Sequence, residues 1–213
     1  VLHTLAKPAA IPVFPPHAHP DGDCLLRRLL AAEPHRAAQP WPAGFEGGLA
    51  HRLDVSTSGA VAVADDPDHL AALREAFAQR RLRKTYLFVA RHPVPWDHNE
   101  CDRPIAHDRR RKRRMVVQRG ANTPHRGRWH EAHTTFERVG PRLWRATMST
   151  GVMHQIRVHA AFVGLVLAGD PVYGGGPTPD IAPEGASFCL HHVGFTGAFT
   201  TAEVPPPSWA GAC

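Results

Sequence analysis

A chain of 213 residues, 43% of them hydrophobic, is long enough to bury a substantial core, which argues against a disordered chain and for one large domain or two small ones. Lys and Arg number 25 against 19 Asp and Glu, giving a formal charge of +6 with 16 His in reserve; with no long apolar run beside it, that balance points to a polyanionic partner, nucleic acid before membrane. Cys24, Cys101, Cys189 and Cys213 are scattered without a C-x-x-C pair, so free thiols in a reducing, cytoplasmic setting are expected rather than a disulfide framework.

Residues 1–16 alternate apolar stretches with prolines and predict an extended strand with a turn, stopped by Pro15 and Pro16. His17-Ala18-His19-Pro20-Asp21 imitates the H-x-H-x-D spacing of some metallohydrolases. Gly22 stands where such sites usually carry a further histidine, and a proline-rich loop is a poor ligand frame, so no metal is expected. Asp23 is positioned to cap a helix whose Leu25, Leu26, Leu29 and Leu30 share one stripe. Pro34 ends it, and a Pro/Gly-rich surface loop runs to Gly48.

The stretch His51-Arg52-Leu53-Asp54-Val55-Ser56-Thr57-Ser58-Gly59 organises the chain. It places a cation and a carboxylate on either side of one leucine, follows them with small hydroxyl residues, and suits a tight, hydrogen-bonded loop. Residues 60–64 are apolar at every position and predict a central strand covered on both faces. A carboxylate on a rigid loop beside such a strand suits chemistry; the plainer role for Asp54 is to cap the turn. In an extended loop Arg52 and Asp54 point the same way.

Asp66 and Pro67 supply an N-cap and first helical residue, and Leu70, Leu73 and Phe77 recur at helical spacing. Arg80, Arg81, Arg83 and Lys84 are expected to close that helix at the negative end of its dipole. Residues 85–90 form a strand pattern with Leu87 and Val89 on one face and Tyr86 and Phe88 on the other. A loop is expected over 92–104. Residues 109–114 are six consecutive cations, which repel one another unless an anion neutralises them, so phosphate contact is the natural reading and a solvated loop the alternative.

Strand patterns at 114–118, 131–139 and 142–149, with a turn at Gly140-Pro141, suggest antiparallel pairing. Ile156, Ala160 and Val163 then make a helical stripe ended by Gly164, which puts Arg157 on an early turn. The glycine-rich turn at 169–175 is expected to lock this helix against the sheet. Residues 188–192 and 199–204 read as further strands, and three prolines follow.

Three stretches stand in order at wide separation: His-Arg-Leu-Asp-x-x-Thr-Ser-Gly, Lys84-x-Tyr86, and His-Gln-Ile-Arg-Val-His followed by Gly-Asp-x-x-Tyr-Gly. Together they resemble the RluA-type family of RNA pseudouridine synthases, over nearly the whole chain from Lys7-Pro8-Ala9 to Leu190-His191 and including Pro104-Ile105 and Arg114-Met115. The resemblance implies an α+β fold: a mixed, mainly antiparallel sheet with packed helices and an RNA-binding cleft. It implies one catalytic domain over 1–213, without the N-terminal S4-type RNA-binding domain of some relatives. It also implies conversion of a uridine in ribosomal or transfer RNA to pseudouridine, without a cofactor, by a monomer acting on structured RNA.

Carried over residue by residue, Asp54 is the catalytic carboxylate, with Tyr86 and Arg157 beside it. Arg157 is the partner expected to hold Asp54 ionised; Tyr86 would stack on the uracil and help to move the C5 proton, and Leu190 would support the ring's other face. Arg52, Lys84, His154, Gln155 and the cations Arg110, Arg111, Lys112 and Arg113 are the expected RNA contacts, with Arg52 filling the stack vacated by the extruded base or holding a phosphate. Where the family usually has an arginine, this chain has Val152. That departure favours the alternative of an RNA-binding paralogue without turnover; a His-rich metallohydrolase is a third reading.

Overall fold

The computed structural model describes residues 2–211. In chain order they form β1 (Leu2–Lys7), α1 (Leu25–Ala32), β2 (Ser58–Ala64), α2 (Pro67–Ala78), β3 (Leu82–Val89), β4 (His98–Cys101), β5 (Ile105–Asp108), β6 (Met115–Val117), β7 (His125–His130), β8 (Thr134–Arg138), β9 (Leu143–Met148), α3 (Gln155–Phe162) and β10 (Leu190–Gly197). The larger sheet has the order β1-β2-β10-β3-β9-β8-β4, and a smaller one the order β6-β5-β7. Among the described residues β2 and β10 pair in parallel and the other strand pairs are antiparallel. This is the mixed, mainly antiparallel α+β architecture that the sequence predicts.

The central strand is covered on both faces because its two side-chain rows meet different helices. Val61 and Val63 join a core with Leu25, Leu26 and Leu29 of α1 and Ile156 and Ala160 of α3. Ala62 and Ala64 pack on the other side against Leu70 and Leu73 of α2, with Leu82 and Phe195. Gly59, the second residue of β2, sits at φ 117°, and a Cβ there would lie 2.1 Å from the carbonyl oxygen of His192. Only glycine lets β2 and β10 approach so closely at the end of the loop that carries Asp54. The smaller sheet is joined to the body through Ile105, Met115 and Val117, which pack with Val158 of α3 and Tyr173.

Several local expectations are corrected. Asp23 does not cap α1: the N-cap is Cys24 without a side-chain hydrogen bond, and Asp23 pairs with Arg28 instead. The cap expected of Asp66 forms, its carboxylate accepting from the His69 N–H at 2.8 Å. Past Ala78, α2 ends in a Schellman turn, with Arg80 at φ 55° and the Arg81 N–H donating to the Ala76 carbonyl. β3 therefore begins at Leu82, and Arg83 and Lys84 are strand residues rather than helix-closing cations.

β4 lies within residues 92–104, the segment expected as a loop, β5 follows directly after it, and β7 carries no apolar alternation to announce it. Residues 199–204 are not a strand. They fold back along β10, where the Thr201 N–H donates to the Phe195 carbonyl and the Val204 N–H to the Val193 carbonyl. Cys24 and Cys101 are buried free thiols, and Cys213 lies outside the described residues.

Candidate active site

The cleft begins with a turn. The Thr57 N–H donates to the Asp54 carbonyl at 3.0 Å, leaving Val55 exposed at the tip and the Asp54 side chain 36% exposed. The turn is held from beneath by Lys7 at the end of β1, which is 1% exposed. Its ammonium donates to the carbonyls of Pro8 at 2.8 Å, Ile11 at 2.7 Å and Val55 at 3.2 Å. Burial lowers the Lys7 pKa to about 8, against the opposing pull of the Asp54 charge. His51, two residues before Leu53, is spent on the fold: its Nε2 accepts from the Ala62 N–H, and its ring meets Phe77 and His192 edge-on.

The opposite wall is the start of α3. Arg157 is fixed by a two-point contact to buried Asp170, Nε to Oδ2 at 2.6 Å and Nη2 to Oδ1 at 2.9 Å, and its remaining Nη1 reaches Asp54 Oδ2 at 3.4 Å. Asp170 Oδ1 also accepts from the N–H groups of Val172 and Tyr173, so the glycine-rich turn holds the carboxylate that holds the arginine. That turn needs Gly175, where a Cβ would lie 1.9 Å from the Asp170 nitrogen. Burial opposes the charge of Arg157, but the hydrogen bond and charge of Asp170, and then Asp54, raise its pKa.

His154 caps α3 in the left-handed region at φ 56°. Its Nδ1 lies 3.0 Å from the Tyr173 hydroxyl, which accepts from the Met115 N–H, and its Nε2 lies 3.8 Å from Asp54 Oδ2. Burial, then the charge of Arg157, lowers the His154 pKa. A neutral ring that accepts from Tyr173 at Nδ1 carries its proton on Nε2, facing Asp54.

β3 and β10 supply the apolar wall. Tyr86, Leu190 and Lys84 line the cavity, with His192 stacked on one face of Tyr86 at 4.5 Å. Burial, with the Asp54 charge adding to it, pushes the Tyr86 phenol well up, so it is un-ionised near neutrality. Burial lowers Lys84 to about 8. The cavity measures about 740 Å³, a size suited to a small organic group and its immediate attachments.

Residues 1–162 match the sequence model of the family described as RNA pseudouridylate synthase. The ribosomal large subunit pseudouridine synthase D of Xanthomonas campestris pv. campestris is 36% identical over 173 residues, covering 79% of this chain and 48% of that protein. The Escherichia coli K12 protein of the same name is 35% identical over 184 residues, covering 85% of this chain and 51% of that one. The chain belongs to the RluA-type family of RNA pseudouridine synthases. It spans about half the length of these curated relatives. The solved human RNA Pseudouridylate Synthase Domain Containing 1 shares its fold, with TM-score 0.71 at 21% identity, covering 97% of this chain and 80% of that one.

Of the residues singled out by the family resemblance, Arg52, Asp54, Lys84, Tyr86, His154, Gln155, Arg157 and Leu190 all border this one cavity. Gln155 is buried and turned inward: its amide donates to the His133 carbonyl and accepts from the Val152 N–H, so it braces the loop before α3 instead of offering an edge to a ligand. Arg110, Arg111, Lys112 and Arg113 do not reach the cavity; they form the exposed turn between β5 and β6. Val152 is half-buried against the Ile105 cluster at the cavity's rim. His17, His19 and Asp21 are exposed, Asp21 pairs with Arg27, and among the described residues no group of three His, Cys, Asp or Glu could hold a metal. Nor, among them, is any helix long and apolar enough to cross a membrane.

Lys7, Asp170 and Tyr173 carried no role in the sequence reading. Their signal was present in Lys-Pro-Ala and Gly-Asp-x-x-Tyr-Gly, but partners 48 and 13 residues away, Val55 and Arg157, come from the fold.

Proposed function

We propose that this chain isomerises uridine to pseudouridine in RNA, ribosomal RNA first in view of the names of its relatives and transfer RNA as the other candidate. The observation that carries the reading is Asp54, half-exposed in the cleft with Arg157 at 3.4 Å and the Tyr86 and Leu190 side chains lining the same cavity. The reaction breaks the bond from C1′ to N1, turns the base and forms the bond from C1′ to C5. The C5 proton is lost and N1 gains one, so neither redox chemistry nor a cofactor is called for. Asp54 supplies the carboxylate that adds to the sugar or to the base, or removes a sugar proton. Arg157 stabilises that carboxylate while Asp170 keeps the arginine from collapsing onto it.

Tyr86 packs against the uracil with Leu190 on the ring's other face. Burial, with the Asp54 charge adding to it, raises the phenol's pKa, so Tyr86 meets the base as an un-ionised packing and hydrogen-bonding group near neutrality. Arg52, exposed at the mouth, contacts the backbone or fills the vacated stack. A uridine inside folded RNA must first be extruded, at a cost of a few kcal/mol recovered by such contacts.

The test is tritium release from RNA labelled at C5 of uridine, using unmodified ribosomal and transfer RNA, with Asp54→Asn alongside. Release by the parent chain that is lost in Asp54→Asn is expected. Salt-sensitive binding to both RNAs without release would favour the second reading, an RNA-binding paralogue, to which Val152 in place of the usual arginine points.

A further inference from the structure

A second groove, of about 320 Å³, continues from the main cavity, sharing Phe77, Ala78, Gly151 and Val152 with it. One bank is the Schellman turn with Arg80; the other is the end of β7 with Arg128, Trp129 and His130. β7 is an edge strand whose sequence, His125-Arg126-Gly127-Arg128-Trp129-His130, interleaves cations with aromatic rings. Its pairing with β5 is broken by a register shift, with Gly127 at φ 73° in open space. The His125 ring packs on Trp129 at 4.3 Å and steadies the indole.

Glu131 is the acid among the groove's described lining residues, and it is tied to Arg80 across the groove at 3.0 Å. Both side chains are solvated, at 50% and 79% exposure, so this ion pair is weak and easily exchanged.

We propose that this groove takes the single-stranded RNA adjoining the target uridine, with a base stacked on Trp129 and Arg80 exchanging Glu131 for a backbone phosphate. The inference rests on the uridine reading of the main cavity and extends it to the neighbouring nucleotide. A strand leaving the cavity meets a platform, two arginines and a displaceable acid, the combination by which proteins hold unpaired nucleic acid. Glu131 is the placeholder: it neutralises Arg80 until a phosphate arrives.

Anisotropy titrations with a fluorescently labelled oligouridylate measure binding, beside pseudouridine formation in an unmodified large-subunit ribosomal RNA transcript. Arg80→Ala is expected to lower the slope of log affinity against log salt by about 0.7, one phosphate contact fewer on a single strand, and Glu131→Gln to tighten oligouridylate binding several-fold. Combining it with Arg80→Ala abolishes that gain. Trp129→Ala weakens oligouridylate binding roughly tenfold while leaving competition by uridine monophosphate unchanged.

A pair that only braces the fold would make Glu131→Gln neutral or weaker-binding; either result overturns the proposal, as does a Trp129→Ala chain that binds oligouridylate like the parent. Pseudouridine formed by the parent chain with groove variants binding unchanged would sink the groove alone. Groove variants behaving as expected in a chain that forms no pseudouridine would count against the reading of the main cavity and leave the groove standing.

Discussion

Arg157 gives Asp170 two hydrogen bonds, at 2.6 and 2.9 Å, and reaches Asp54 only once, at 3.4 Å. The arginine is thus anchored by a buried acid on the glycine-rich turn and lends Asp54 a single N–H, which leaves most of the Asp54 carboxylate open to the cleft. Two acids near one arginine have separate jobs because one is 1% and the other 36% exposed at the side chain.

Substituting the two acids should therefore split stability from activity. Asp170→Asn leaves a buried guanidinium with only its 3.4 Å contact to Asp54 and is expected to cost about 3–5 kcal/mol of folding stability. Asp54→Asn should leave the denaturation midpoint within experimental scatter and remove tritium release. Urea unfolding of both variants checks this; equal destabilisation by the two would contradict the division of labour.

The sequence carried the frame of this site because its motifs are local: the all-apolar run after Gly59 becomes the doubly covered β2, and the stripe through Ile156 and Ala160 becomes α3 with Arg157 on its first turn. What it did not carry is pairing at a distance. The primary partner of Arg157 is Asp170 rather than Asp54, and nothing in the spacing ranks the two. β7 escaped notice because an exposed edge strand of cations and aromatics lacks a buried face to impose alternation. Lys84 read as a helix-closing cation until Arg80 adopted the left-handed conformation and started β3 earlier.

Lys84 makes the fold sensitive to alkaline pH. Burial lowers its pKa from 10.5 to about 8, so between those values the unfolded chain holds a proton that the folded chain has released. Stability rises with pH wherever the unfolded state binds more protons, so folding stability should increase from pH 8 toward 10.5. Lys7 is shifted in the same direction, to about 8, so Lys84→Met should reduce the slope without flattening it. Binding of RNA phosphate favours the protonated amine, and oligouridylate affinity should fall as pH passes about 8 in the parent and less in Lys84→Met. Denaturant titrations and anisotropy across this range measure both; a parent affinity independent of pH would remove Lys84 from the RNA contacts.

Arg52 lies at the cavity mouth on the same loop as Asp54 and is exposed. If it offsets the cost of extruding the uridine, Arg52→Ala should slow turnover on folded RNA much more than on an unstructured oligonucleotide carrying the same uridine. Equal losses on both substrates would instead make it a plain phosphate contact.

Lys7 is the positioning residue beneath the Asp54 turn. Its ammonium joins the carbonyls of Pro8 and Ile11, in the loop after β1, to that of Val55, one residue past Asp54, and the Ala10 N–H donates to the same Val55 oxygen at 2.9 Å. Lys7→Met keeps much of the side chain's volume but strips three partly buried carbonyl contacts of their charged donor, at a cost of about 1–3 kcal/mol. The turn stays attached through Ala10, so the chain should still fold and still bind oligouridylate. Asp54, however, loses its fixed height in the cleft. We expect kcat on folded RNA to drop by about tenfold or more, the order of loss that accompanies small misplacements of a reacting group, while KM changes little. A purely structural lysine would lower the unfolding midpoint and leave kcat per folded molecule unchanged, so steady-state kinetics corrected for folded fraction separates the two roles.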